Sequence, residues 1–198
     1  MTANDIFQNS HVAHVRELKA EIARLHEELA QTRADLESLR GHFALALAAA
    51  RDIDDLPVDG RLVIVDGWNA LLGSSSVLTP EERHLDMHAK EERLRALTRA
   101  WTTAHPLDYA WIVFDGSRMG GDSEPRLRVS FTGGTGAHRA DRLVCDYLRM
   151  RRLTGESRPV LVLTDDKDFR REAESLGAAV EGVGRLIEST AEHSSHGA

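Results

Sequence analysis

Leu62-Val-Ile-Val-Asp66-Gly-Trp-Asn69 is the stretch that decides the fold. Four consecutive apolar residues, two of them β-branched valines and one isoleucine, have neither the alternation of a half-buried strand nor the length of a helix. Such a run reads as a strand buried on both faces, as in a parallel sheet. It ends in an acid, and Gly67 permits a tight exit from the strand. Asn69 is then placed to cap a following helix or to orient a phosphate at a site.

The same pattern recurs downstream. Tyr109–Phe114 leads into Asp115, and Val160–Leu163 leads through Thr164 into Asp165, Asp166 and Asp168. Leu127–Phe131 is a further strand, and Ala178–Val180 a weaker one. Helical patterns separate most of them: Glu81–Ala104 with Leu85, Ala89, Leu94, Leu97 and Trp101 on one side; Ala137–Leu153 with Ala140, Leu143, Val144, Tyr147 and Leu148; and Phe169–Leu176. Alternating strands and helices imply an α/β domain with a mostly parallel sheet covered on both faces.

In open parallel sheets, ligands bind outside the carboxyl ends of the strands. Asp66, Asp115 and the Asp165–Asp166 pair therefore belong to one edge. Asp141 opens a helix after the loop Thr132-Gly-Gly-Thr-Gly136 and can join them. Crowded carboxylates repel one another unless a cation intervenes, and Mg²⁺ or Mn²⁺ prefers oxygen ligands. Such ions activate water and stabilise phosphoryl transition states. The acids thus suggest metal-assisted hydrolysis or transfer at phosphorus. Each alone reads equally as a turn former or helix cap.

Upstream, Val15, Leu18, Ile22, Leu25, Leu29, Thr32, Leu36, Leu39 and Phe43 recur in steps of three and four. That is a heptad seam, with Val15, Ile22, Leu29 and Leu36 at a and Leu18, Leu25 and Leu39 at d, a choice that favours a parallel dimer. Glu28 with Arg33, Asp35 with Arg40 and Glu21 with His26 have the spacing of interchain pairs. Residues 11–50 are read as a coiled coil making a homodimer. Residues 51–60, with Pro57 and Gly60, are the linker, 61–186 the α/β domain, and 187–198 a frayed polar tail containing His193 and His196.

Composition limits the rest. The 198 residues carry a formal charge of −7, which argues against bulk coating of nucleic acid. Only three of the 25 basic residues are Lys, and Arg grips phosphate bidentately. Cys145 is the sole cysteine, so neither an intrachain disulfide nor a Cys-based zinc site is available. No apolar run has the ~18 residues of a membrane span, and the first ten residues lack a signal-peptide core. The protein is expected to be cytoplasmic.

Four segments together resemble the NYN family of PIN-like ribonucleases, and fit best its YacP-like branch. They are Leu62–Asn69; Val113-Phe-Asp-Gly116; Phe131-Thr-Gly-Gly-Thr-Gly-Ala-His-Arg-Ala-Asp141; and Leu163-Thr-Asp-Asp166 followed by Lys-Asp-Phe169. Leu176-Gly-Ala178 matches the turn before the last strand. The resemblance implies a three-layer PIN-like fold and a divalent-metal endoribonuclease with Mg²⁺ or Mn²⁺, linked to RNA turnover and to ribosomes. By position it makes Asp66, Asp141 and Asp166 the metal acids, Asp115 a further catalytic acid and Asn69 a polar residue shaping the site. Trp68 replaces the family's usual Tyr, and Asp165 its usual Ser. Arg139 and Arg142, which bracket Asp141, Arg118 and a base-stacking Trp68 are the RNA-binding candidates. The competing function is a catalytically weak RNA-binding adaptor recruited through its coiled coil. A haloacid-dehalogenase-type phosphotransferase needs Asp-x-Asp after the first strand, and Asp66-Gly-Trp68 lacks it.

Overall fold

A computed structural model describes residues 14–34, 36, 37, 40, 44, 60–134 and 136–188. The chain divides into two units, Met1–Gly41 and His42–Ala198. In the first, residues 14–34 form a helix, α1. Its seam residues Leu18, Ile22, Leu25 and Leu29 are each about half exposed within the single chain. Arg24 bridges Glu21 at 2.6 Å and also pairs with Glu28. The other residues of 11–50 apart from 36, 37, 40 and 44, all of the linker but Gly60, and residues 189–198 with His193 and His196 lie outside the described residues.

The second unit is a three-layer α/β structure. In chain order it contains β1 (Leu62–Asp66), α2 (Gly67–Leu72), α3 (Met87–Ala104), β2 (Tyr109–Phe114), β3 (Met119–Glu124), β4 (Leu127–Thr132), α4 (Arg139–Thr154), β5 (Val160–Leu163), α5 (Lys167–Ser175) and β6 (Ala179–Glu181). The sheet order is β3-β4-β2-β1-β5-β6. All pairings are parallel except β3 with β4.

The apolar run of β1 is explained by its central place. Leu62 and Ile64 face one core with α4, α5, Trp111 and Val162; Val63 and Val65 face the other with α2, α3, Ile112 and Leu161. All four are 0% exposed. Burying such side chains contributes about 1.5–3 kcal/mol each, so every position of the strand must be apolar.

Several sequence expectations shift. Ala178–Val180 becomes Ala179–Glu181. The helix expected over Glu81–Ala104 is a 3₁₀ turn, Glu82–His84, followed by α3, which Asp86 caps through Ala89 N–H at 2.8 Å. Asn69 does not cap the helix after β1; Asp66 does, from before Gly67. Strand β3 was not expected. Its sequence, Met-Gly-Gly-Asp-Ser-Glu, lacks apolar alternation because it lies at the sheet edge and is mostly exposed. It is held by the β4 ladder and by Arg95–Asp122 (2.7 Å) and Arg99–Glu124 (2.7 Å).

The topology locates the crevice. From β1 the chain runs through α2 and α3 to β2 on one side, then later through α4, on the opposite face, to β5 on the other side. The strand order reverses around β1, so the switch point lies at its carboxyl end, where Asp66 stands.

Candidate active site

Three helices begin at this edge, and an acid meets the first turn of each. Asp66 Oδ1 accepts from Asn69 N–H (3.2 Å) at the start of α2. Asp166 Oδ1 accepts from Asp168 N–H (2.8 Å) and Phe169 N–H (2.9 Å) at the start of α5. Asp115 Oδ1 accepts from Ala140 N–H (2.5 Å) at the start of α4 and from Thr132 Oγ1–H at 3.4 Å. Free N–H groups and the positive end of the helix dipole favour carboxylates at such positions. Capping and site-building are therefore the same arrangement: helix starts hold negative charge at the sheet edge.

The neighbouring strand ends are tied to this edge by the residues after β1. Asn69 Oδ1 accepts from Asp165 N–H (2.9 Å), reaching the end of β5. Trp68 Nε1–H donates to the Asp115 carbonyl (2.6 Å), reaching the end of β2. The Trp68 ring packs on Phe114 with centroids 4.8 Å apart. Thr164, buried at the end of β5, donates its hydroxyl to Asp66 Oδ2 (3.0 Å) and accepts from Asp166 N–H (3.1 Å). Gly67 has no freedom to change, because an added Cβ would lie 2.3 Å from the Phe114 ring.

The electrostatics follow from burial. Asp66 is pushed up to about 6, first by desolvation and further by the charges of Asp141 and Asp115, against the hydrogen bonds from Asn69 N–H and Thr164. Asp141 is also raised by burial and by Asp115 and Asp166, while His138 pulls it down. His138 Nδ1–H donates to Asp141 Oδ2 (3.0 Å), and that carboxylate holds the imidazole above its ordinary value. Asp66 thus feels the charges of Asp141 and Asp115, and Asp141 those of Asp115 and Asp166.

An open cavity beside them is lined by Asp141, Asp166, His138, Arg142, Asp168 and Glu172 on a floor containing Phe169. Among the described residues, no three His, Cys, Asp or Glu side chains stand close enough together to cage a metal ion. Asp66, Asp141 and Asp166 are all-oxygen donors, each already hydrogen-bonded within the chain. Magnesium typically uses one or two carboxylates and keeps several waters, so it does not require such a cage.

The basic candidates separate. Arg142 is exposed on the cavity rim. The Arg139 guanidinium lies against Gly134, where a Cβ would meet it at 2.8 Å. Arg118 lies over the Phe131 ring (4.0 Å) and pairs with Glu91 (3.8 Å) and Asp122 (3.9 Å), outside the cavity lining. Asp165 turns its Oδ2 into the protein with no hydrogen-bond partner, whereas Asp168 is 94% exposed and pairs with Arg171. Sequence reading missed Thr164 and His138. Thr164 was legible as the residue between a buried strand and an acid pair; nothing in the spacing singled out His138.

No protein-family model matches the sequence, and no curated protein does. Among solved structures the chain is similar to Rae1 (YacP) from Bacillus subtilis, in the crystal structure of a mutant of that protein. The TM-score is 0.50 at 19% identity, over 69% of this chain and 78% of that one. At this identity the likeness is one of fold, and the PIN-like three-layer arrangement expected from the sequence is the arrangement found.

Proposed function

We propose that the chain is a divalent-metal-dependent endoribonuclease, hydrolysing RNA phosphodiester bonds at the acid edge. The observation that carries this reading is the convergence of Asp66, Asp115 and Asp141 at the switch point, where burial first, and then the charges of Asp141 and Asp115, hold Asp66 up at about 6. The motifs that resemble NYN domains, and the fold shared with Rae1 (YacP), support it.

In this reading Asp66, Asp141 and Asp166 hold Mg²⁺ or Mn²⁺. When bound, such an ion polarises the phosphoryl group and lowers the pKa of its water. The chain's own residues do the rest. Asp115 fixes the start of α4, and with it Asp141, through Ala140 N–H. Asn69 and Trp68 hold the ends of β5 and β2 against β1. Arg142, on the cavity rim, receives a substrate phosphate. Trp68 has its N–H and its ring contact with Phe114 committed inside the protein, so positioning suits it better than base stacking.

A second copy is the proposed partner of α1, whose half-exposed Leu18, Ile22, Leu25 and Leu29 form the seam. Association with ribosomes belongs to the same proposal and rests on the YacP-like resemblance. Among the described residues no helix is long and apolar enough to cross a membrane.

The test is cleavage of a mixed RNA pool by wild type and Asp66→Asn, with Mn²⁺, Mg²⁺ or EDTA. Metal-dependent cutting that the substitution removes is the expected result. RNA binding without cutting under any condition would replace this reading with the adaptor.

A further inference from the structure

Between β4 and α4 the chain places a histidine where the backbone favours glycine. His138 has φ 62° and ψ 26°, in the left-handed region, at the N-cap position of α4. Among the described non-glycine residues only Arg126 shares a positive φ. Its guanidinium holds the surrounding turn through the carbonyls of Thr102 and Pro106. A glycine adopts a positive φ freely, and Gly133 and Gly134 in the same loop have φ 69° and 75°.

Capping does not account for the histidine. Its side chain makes no cap hydrogen bond, and Asp115 already satisfies the Ala140 amide. Nor does packing, because the side chain is 67% exposed. What the ring does is bond Asp141 Oδ2 at 3.0 Å, while lining the cavity shared by Asp141, Asp166 and Arg142. A residue kept in a costly conformation beside a candidate site points to a role in that site.

We propose that His138 is a positioning residue of the acid edge: its Nδ1–H fixes the Asp141 carboxylate, and the left-handed backbone is retained because it brings the ring back onto the first turn of α4. The inference rests on the nuclease reading and adds to it a residue outside the carboxylate set. Groups that orient metal-binding side chains in this way typically change metal affinity or activity by about 10–100-fold when removed.

The experiment compares full-length wild type, His138→Gly, His138→Asn and Asp66→Asn. It measures Tm in EDTA, Mn²⁺ affinity by calorimetry and RNA cleavage. His138→Gly is expected to keep or raise Tm, since glycine relieves the backbone, while Mn²⁺ affinity and cleavage fall by about 10–100-fold. Asn tolerates the left-handed region and carries a donor, so His138→Asn is expected to recover most of both. A merely structural histidine would move Tm and activity together. Wild-type Mn²⁺ affinity and cleavage in His138→Gly, with Asp66→Asn still inactive, overturns the role of His138 and leaves the nuclease intact. A wild type that neither binds Mn²⁺ nor cuts RNA overturns both.

Discussion

Replacing Asp66 with Asn is expected to stabilise the fold at neutral pH while abolishing cleavage. The carboxyl is raised from 3.8 to about 6, and a rise of that size corresponds to roughly 3 kcal/mol between its two protonation states. The sign follows from the direction. A group with a raised folded pKa contributes stability below its unfolded value, and loses it as pH climbs through the folded one. Wild type therefore weakens relative to the variant between about pH 4 and about pH 6, and the difference is level above that. Asn keeps an oxygen for the Asn69 amide and is as good an N-cap as Asp. The Thr164 hydroxyl, which now donates to Asp66 Oδ2, loses its acceptor, at about 1 kcal/mol. With that offset, and with solvent screening at a partly exposed group, the net gain at pH 8 is about 1–2 kcal/mol. Urea unfolding in EDTA across this range, for both proteins, measures it. A stability difference that stays flat with pH, or a variant weaker than wild type at pH 8, would refute the account of a buried, repelled carboxylate.

Gly67→Ala is expected to cost about 1–3 kcal/mol in urea denaturation, because the new methyl meets the fully buried Phe114 ring; a loss below ~0.5 kcal/mol would mean the ring has room to move. Arg142→Ala should weaken binding of a non-cleavable RNA and lower the slope of log affinity against log salt by about 1. Fluorescence anisotropy over a salt series reads it, and an unchanged slope removes Arg142 from the phosphate path. Deleting residues 1–55 should leave a folded monomer in sedimentation; a persisting dimer would place the oligomer interface outside the seam of α1.

The parts of this molecule that were legible in the sequence are those whose physics is local or that are buried on both faces. Tyr109–Phe114 and Val160–Leu163 were read with their observed bounds because each position of a central parallel strand must be apolar. The acid edge was legible because strand ends fall on one side of such a sheet. What escaped was set by tertiary partners. Met119–Glu124 is a strand only because β4 offers it a ladder. Asn69 looked like a helix cap, yet its amide oxygen reaches the backbone of Asp165, 96 residues away. Trp68 reads equally as a base-stacking or a packing ring, and the partner of its N–H, the Asp115 carbonyl 47 residues away, is set by the fold.

Strand β3 has one consequence beyond the site. Without it, β4 would offer solvent a row of unpaired amides and carbonyls along Leu-Arg-Val-Ser-Phe-Thr, a rim that any other extended chain could join. The polar, glycine-containing strand occupies that rim and carries acids at Asp122 and Glu124. Conditions that peel it off, such as loss of the Arg95 and Arg99 ion pairs, should therefore show first as clumping of otherwise folded molecules, well before the two cores open.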